Sequence, residues 1–459
     1  MQKLFFSFFL IFFISGTVTA GYTDLKIEYT KKREIIMSYN LVPDDESNTM
    51  PIFKLTITAD IGGKKPYSPK TLSGDGAKGI IVGAGAKTTI WNAGKDCRSV
   101  DTDLITIDFK VEDITKDATY LCVDLSKYSF KFQGDPPDIS KKPCKTKELW
   151  LRRIDPGTFI MGSPTNELGR SSGKKWIEYY DRDLDKWVET NIFYDSEVQH
   201  KVTLTKAFYI GIFEVTQAQF KKIARYNTSK FKGSTRPVER VSFRVLRGTN
   251  NGWSWPRTSE IDEEFVYRLV HHVVRYWDED EWDTDEWDTE KYRNTFFYSL
   301  RKKAGGLLFD LPTEAQWEYA CRADTTNSFN NGKDITDPLE CNNLEELAWY
   351  SYNSFFKKGN ETHTVGEKKP NALNLYDMHG NVSELCLDWN SDYDSESATD
   401  PVGALTGSGR VLRGGSFNDD AFKCRSAARE EQYQGDSGYD PNYLKGYDGH
   451  CGFRIVLNQ

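Results

Sequence analysis

RGGSFNDDAFKC, residues 413–424, is the stretch on which the reading of this chain turns. It has the form of a loop that presents chemistry, with the pair Gly414-Gly415 at its start and a nucleophile, Cys424, at its end. Its centre holds Asn418, Asp419, Asp420 and Ala421, none of which is a nucleophile. An Asp in a glycine-rich loop most often serves the turn itself or stands in solvent, so Asp419 and Asp420 are read as turn or surface residues.

Outward from this loop, residues 146–459 consist of short dense blocks separated by polar insertions: "LWLRRIDPGTFIMGS", "HKVTLTKAFYIGIFEVTQAQF", "LFDLPTEAQWEYACRA", "ALNLYDMHGNVSELCLDW" and "CGFRIVLNQ". The alternation in "HKVTLTKAFYIGIFEV" predicts strand. Thr216 and Thr313 are helix-start signals, the second followed by Glu314 and Gln316 in its first turn. A Pro- and Lys-rich connector, "FQGDPPDISKKPCKTKE", marks the boundary with residues 21–145. There the grammar is that of strands: "LKIEYT", "IIMSYNL", "FKLTITAD", "GIIVGAG", "TTIWNAG" and "LITIDFKV". Their spacing predicts an all-β sandwich of immunoglobulin or fibronectin type. "GDGAKG" (74–79) and "GAGAKT" (83–88) look like phosphate-binding loops, but strand-like runs follow them where a helix is needed, so both are read as turns.

Residues 1–20, one Lys followed by an apolar core and the small-residue ending Val18-Thr19-Ala20, read as a signal peptide, which makes the protein secreted or periplasmic. No later apolar run is long enough to span a bilayer. With 60 basic and 68 acidic residues mixed along the chain, there is no basic patch to recruit nucleic acid. The 8 cysteines contain no C-x2-C pair, which argues against a structural zinc site. "WDEDEWDTDEWDTE" (277–290) lacks a calcium-loop spacing and reads as a solvated insertion, with His271 and His272 beside it as surface residues.

The blocks "GTFIMGS", "YIGIFEVTQAQF", "RPVERVSF", "LPTEAQWEYACRA", "LYDMHGNVSEL", "RVLRGGSF" and the terminal "GFR" resemble, in that order, the formylglycine-generating enzyme (sulfatase-modifying factor) family. An ordered set is far more specific than any one motif. The resemblance implies an α+β fold of C-type-lectin type with little regular secondary structure and a structural calcium ion. In the founding members it implies oxidation of a sulfatase cysteine to formylglycine, with oxygen and copper(I). Copper(I) is soft and prefers two thiolates, and the family's loop supplies them as G-G-S-aromatic-x-C-x4-C. Here Gly414, Gly415, Ser416 and Phe417 are kept, while Asp419 stands at the first cysteine position. Cys424 falls on the second when counted forward from Gly414, and misses it when counted backward from the "AAR" at 427–429. The pair is broken under either count, and copper is expected to be held weakly if at all. Cys424 and Ser416 are the residues left to carry any catalysis. No H-x3-H-x-E arrangement exists, which argues against the relatives that use histidine-bound iron.

The family's calcium motif, N-x-x-G-N-x-W-E, supplies two side-chain and two backbone oxygens. "DMHGNVSE" puts Asp377 and Glu384 on its side-chain positions and Gly380 and Val382 on its carbonyl positions, with Ser383 replacing the aromatic. The other reading of this segment is a capping loop whose acids bond backbone amides. The family's other calcium site has no counterpart in "AWYSYNS". The resemblance also makes Cys386–Cys424 the leading disulfide pair and allows a Cys321–Cys451 bridge; His379 and His450 stand isolated and read as structural residues. The function expected is that of a non-catalytic binding or scaffold protein with a protein or glycan ligand, held by the aromatic-rich insertions 169–196, 277–293 and 430–449. The alternative is a formylglycine-generating oxidase acting on sulfatase cysteines.

Overall fold

The structure, a computed structural model, describes residues 12–13, 21–30, 33–42, 52–61, 67–74, 80–82, 85–96, 105–115, 118–170, 172–181, 186–247, 295–304, 307–358, 360–404, 406–433 and 449–458. The chain divides into two compact units, residues 1–119 with 132–134 and 459, and residues 120–131 with 135–458.

In the first unit each of the six strand-like runs contains a strand. Ile35–Val42 alternates buried and half-buried at every step, the period of two that covers one face of a strand. One antiparallel sheet orders Phe12–Phe13, Gly21–Tyr29, Ile35–Val42, Gly85–Trp91 and Leu72–Gly74; a second orders Ile80–Val82, Ile52–Ile61 and Ile105–Asp113. Met37, Leu41 and Trp91 from the first sheet join Phe53, Leu55 and Val111 from the second in one hydrophobic cluster. The strand Ile80–Val82 follows the first phosphate-loop look-alike and Gly85–Trp91 runs through the second, so neither opens a helix that would face a phosphate.

The second unit mixes short strands and short helices. Tyr120–Asp124, Glu148–Ile154, Phe208–Gly211, Val456–Leu457 and Phe309–Asp310 lie side by side, antiparallel, so the chain's end is inserted between two strands from its middle. This pairing corrects the boundary read from the sequence. Tyr120–Asp124 precedes the Pro/Lys connector but hydrogen-bonds to Glu148–Ile154, and so belongs to the second unit. A second sheet orders Arg429–Tyr433, Gly409–Arg413, Ser383–Trp389 and Cys451–Gly452. The aromatic insertion after Gly169 forms a hairpin, Ser172–Asp181 with Lys186–Asp195; the insertion at 277–293 lies outside the described residues.

Both helix starts are where the threonines place them. Thr216 and Thr313 accept from the N–H of Gln219 and Gln316, whose side chains accept in return from the threonine N–H groups. This reciprocal box satisfies donors that every helix start otherwise leaves open. The Glu314–Arg322 helix then buries Ala315, Trp317, Ala320 and Cys321 in a core shared with Phe208, Ile210, Val202, Val411 and Val456. Among the described residues no helix is long and apolar enough to cross a membrane.

Candidate functional site

Four buried arginines build the frame of the 413–424 loop. Arg413 ends the Gly409–Arg413 strand, all of it buried. Its guanidinium donates to Ala427 O at 2.9 Å, Ala428 O at 3.0 Å, Ser426 O at 2.9 Å and the Glu318 carboxylate. The start of the loop is thereby tied to its end. Arg425 donates to Glu197 at 2.8 and 2.9 Å, to Glu167 at 2.6 Å and to Gly169 O at 2.7 Å. Arg429 grips Glu314 with two bonds of 2.6 and 2.9 Å, and Arg454 grips Glu384 with two of 2.5 Å. Paired, bidentate guanidinium groups of this kind leave few buried donors unsatisfied.

Within this frame Gly415 has φ 68°, and a Cβ there would stand 2.7 Å from Cys424 Sγ. Only glycine tolerates both the left-handed backbone and the sulfur beneath it. Cys424 is fully buried. Burial, reinforced by Asp419, Glu430 and Asp420, pushes its thiol well above the ordinary value, so the sulfur stays protonated. His379 gives it no base. Its Nε2 accepts from Asn330 N–H at 3.2 Å, which leaves Nδ1 to donate to Cys424 O at 2.7 Å, and burial lowers its pKa to about 4.

Ser416 is also fully buried, and its hydroxyl donates to Asp419 Oδ2 at 2.5 Å. The other Asp419 oxygen faces Lys423 Nζ at 3.3 Å. Asp420 Oδ1 accepts from the Ser351 hydroxyl at 2.8 Å, while Ser351 N–H donates to Asp419 O at 2.9 Å. Asp420 through its carboxylate and Asp419 through its carbonyl tie the loop to the Ser351–Lys358 helix, while the Asp419 carboxylate serves its own loop, on Ser416 and Lys423. These residues do not fit copper(I). The first cysteine position holds a hard carboxylate already engaged by Ser416 and Lys423, and Cys424, which falls on the second only when counted forward from Gly414, is a buried, protonated thiol.

Neither expected disulfide is formed. Cys321, Cys386 and Cys424 are free thiols; Cys97 lies outside the described residues. Cys321 Sγ faces Ser426 Oγ at 3.8 Å and His379 Nε2 at 3.9 Å.

The second candidate site gathers Asp377, Glu384 and a residue that sequence reading missed, Glu214. Glu214 is fully buried and accepts from Val382 N–H at 2.9 Å and Asn381 Nδ2 at 2.7 Å. Burial, with Asp377 and Glu384 nearby, raises its carboxyl well above the ordinary range. Asp377 accepts from Gly366 N–H at 2.6 Å through Oδ2, and its Oδ1 is buried without a hydrogen-bond partner among the described residues. Burial raises its pKa to about 6. Glu384 accepts from Trp317 Nε1 at 2.7 Å as well as from Arg454. Three carboxylates thus share one guanidinium. No three described His, Cys, Asp or Glu side chains are grouped to hold a metal, and Glu384 is already engaged by Arg454 and Trp317. Of the carboxylate oxygens expected to bind calcium, Asp377 Oδ1 is the one left without a hydrogen-bond partner among the described residues. The signal for Glu214 was its place in "IFEVTQ": a Glu inside an apolar run is rarely buried without a partner.

Chaperone protein LppX of Paenibacillus barcinonensis is 32% identical over 206 residues, 41% of this chain and 65% of that protein. The formylglycine-generating enzyme of Streptomyces coelicolor is 39% identical over 112 residues, 23% of this chain and 35% of that enzyme. This chain therefore spans less than two thirds of the length of either relative. Among solved structures, Treponema denticola variable protein 1 aligns at a TM-score of 0.42 and 23% identity, over 68% of this chain and 95% of that one. The family described as sulfatase-modifying factor enzyme 1-like domain matches residues 138–459, from the connector through the arginine-framed loop to the inserted terminal strand. With well over half of its length inside that match, the chain belongs to the sulfatase-modifying factor enzyme family.

Proposed function

We propose that this protein is a non-catalytic binding or scaffold member of its family, using the arginine-framed loop face to hold a ligand. The observation that carries this reading is the state of Cys424, a buried and protonated thiol opposite an engaged Asp419. Soft-metal oxidation of a substrate thiol needs two accessible thiolates. The decisive experiment incubates the full chain with a cysteine-containing sulfatase peptide, copper and oxygen, and follows the peptide by mass spectrometry. No aldehyde is expected; aldehyde formation that disappears in Cys424→Ala overturns the reading. The similarity to formylglycine-generating enzymes favours that oxidase as the second reading, with a sulfatase as its partner.

A protein ligand is favoured over a glycan by the similarity to a protein named as a chaperone; binding to protein and glycan arrays separates the two. The first unit serves as a sandwich module of immunoglobulin or fibronectin type, set before a domain of C-type-lectin type. Export through residues 1–20 places the protein outside the cell or in the periplasm, and nucleic acid is not a partner. A calcium ion, held by Asp377, Glu384, Glu214 and the carbonyls of Gly380 and Val382, would neutralise the buried carboxylates and hold the segment rigid. Chelation is then expected to lower the melting temperature of the wild-type chain and to leave Glu214→Gln less affected.

A further inference from the structure

We propose that Lys221, Lys222, Arg225, Lys302 and Lys303 form a docking surface for an extended acidic segment of a partner polypeptide. The surface lies apart from the 413–424 loop in sequence, and the proposal stands whether or not that loop is catalytic.

Three stretches without acids build it. No Asp or Glu lies between Asp124 and Asp135, between Glu214 and Glu239, or between Glu290 and Asp310, in a chain whose net charge is -8. Bases and acids mix along the sequence as a whole, so a basic surface exists only where folding brings these stretches together. The Gln217–Ala224 helix buries Gln217, Gln219, Phe220, Ile223 and Ala224. That turns Ala218, Lys221, Lys222 and Arg225 outward, the i, i+3, i+4, i+7 stripe of a single helix face. The Phe296–Lys303 helix buries Phe296, Phe297, Ser299 and Leu300 and turns Tyr298 and Lys302 outward. Phe220 stacks on Phe296 with ring centroids 5.4 Å apart, which packs the two helices against each other.

Tyr128 ties the two basic rows together. Its hydroxyl donates to Lys222 O at 3.2 Å, one of the last-turn carbonyls that a helix leaves without an internal partner. The same hydroxyl accepts from Lys303 Nζ at 3.0 Å. Tyr226, 41% exposed, meets Phe220 edge-on at 5.5 Å and borders the cations with an aromatic surface. Cations in a last turn offset the helix dipole, but here all the outward positions of both last turns are basic. Lys221, Arg225 and Lys302 are exposed and make no salt bridge among the described residues. The described acids beside them are engaged: Asp124 by the N–H groups of Ser126 and Lys127, Glu148 by Trp150 Nε1, and Asp310 by Arg247 and Arg301. Lys127, exposed beside Tyr128, adds to the positive charge.

Spacing and charge select the partner. Lys221 and Arg225 are one turn apart, about 6 Å along the axis, close to the roughly 7 Å between alternate side chains on one face of an extended polypeptide. Acids at alternate positions of such a segment match the stripe. Planar forks of the kind that grip phosphate are scarce here, since Arg301 is committed to Asp310 and Phe309 O, and this disfavours nucleic acid and anionic lipid. The tyrosines offer a surface to the partner's uncharged side chains. This chain carries an acidic run of its own at 278–290, outside the described residues, so the test includes a chain without it.

The test follows binding of fluorescently labelled Glu-Thr-Glu-Thr-Glu-Thr-Glu to the full chain by anisotropy, against the same peptide with Gln for Glu. The acidic peptide is expected to bind at least about ten-fold more tightly, by an amount that shrinks as salt is raised. The double variant Lys221→Glu/Lys302→Glu is expected to lose that preference at unchanged melting temperature, and Lys201→Glu, an exposed change on the His200–Leu204 strand, to keep it. Arg225→Gln provides the same loss in a smaller degree should the double variant unfold. A chain lacking 277–290 is expected to bind the acidic peptide at least as tightly as the full chain. Equal binding of the two peptides, or equal losses in Lys201→Glu and the double variant, overturns the proposal. So does tighter binding of a sulfated oligosaccharide, a short single-stranded DNA or phosphatidylglycerol vesicles than of the acidic peptide. Binding seen only once 277–290 is removed overturns it as well, because the chain's own acids then fill the surface.

Discussion

Replacing Arg413 by methionine removes a side chain that ties the start of the loop to the segment after its end. The guanidinium is fully buried and serves three carbonyls, those of Ser426, Ala427 and Ala428, along with Glu318. Breaking a buried ion pair from one side costs about 3–5 kcal/mol. Each carbonyl left without a donor adds roughly 1 kcal/mol or more. Two contacts soften the loss. Glu318 keeps Arg322 at 2.8 Å and the Gly162 N–H at 2.9 Å, so its charge is not left bare. Because the terms share partners they do not add fully, and about 5 kcal/mol is the expected loss.

That is a large part of the 5–15 kcal/mol typical of a folded domain. At about 2–4 °C per kcal/mol for a unit of this size, the melting temperature of the second unit should fall by at least about 10 °C. Thermal unfolding followed by near-UV circular dichroism, at several scan rates, reads the change. Arg413→Lys keeps the charge but has too few fixed donors for four acceptors, and should fall between the two. A fall of less than about 3 °C in Arg413→Met would refute the account of Arg413 as the clasp of the loop.

Three further outcomes follow from the same geometry. Gly415→Ala forces a Cβ against Cys424 Sγ at a positive φ, and should cost about 2–4 kcal/mol in denaturant unfolding, partly relieved by adding Cys424→Ala. Burial, then Glu314, raises Asp388 from its ordinary 3.8 to about 7. The folded state therefore keeps a proton that the unfolded chain has released, and stability should decline as pH rises from about 4 to about 7, by at most roughly 4 kcal/mol; Asp388→Asn should flatten that slope in a pH series of melting curves. Thr313→Ala removes the cap of the Glu314–Arg322 helix and should cost about 1 kcal/mol, measured as a shift in denaturant midpoint.

What the sequence revealed was local. Thr216 and Thr313 announce helices because their partners lie three residues away, within reach of a window. Ile35–Val42 declares its strand because burial alternates along it. The ties that make the site are not local. Glu214 meets Val382 and Asn381, and Arg425 meets Glu197 and Glu167, across separations that no spacing rule spans. Tyr120–Asp124 was given to the wrong unit for the same reason, since its partner strand lies beyond the connector. The cysteine pairs fared likewise, because shared blocks do not bring two sulfurs within bonding distance. His450 looked isolated in the sequence, and its companion Phe417 comes from a distant segment.

The loop itself shows why its fold was legible when its chemistry was not. Its shape is set by Gly414 and Gly415 at positive φ and by Arg413 and Arg425, whose partners are backbone carbonyls and glutamates outside the loop. None of those interactions involves the side chain at 419, and Cys424 touches the frame only as a small buried group under Gly415. The positions that carry the family's reaction are thus free to change without unfolding the loop. Asp419 shows the consequence: its carboxylate draws in Ser416 and Lys423, and so gives the loop a charged, hydrogen-bonded rim. Fold and reaction are separable in this frame, and the function must be read from the side chains that occupy the rim.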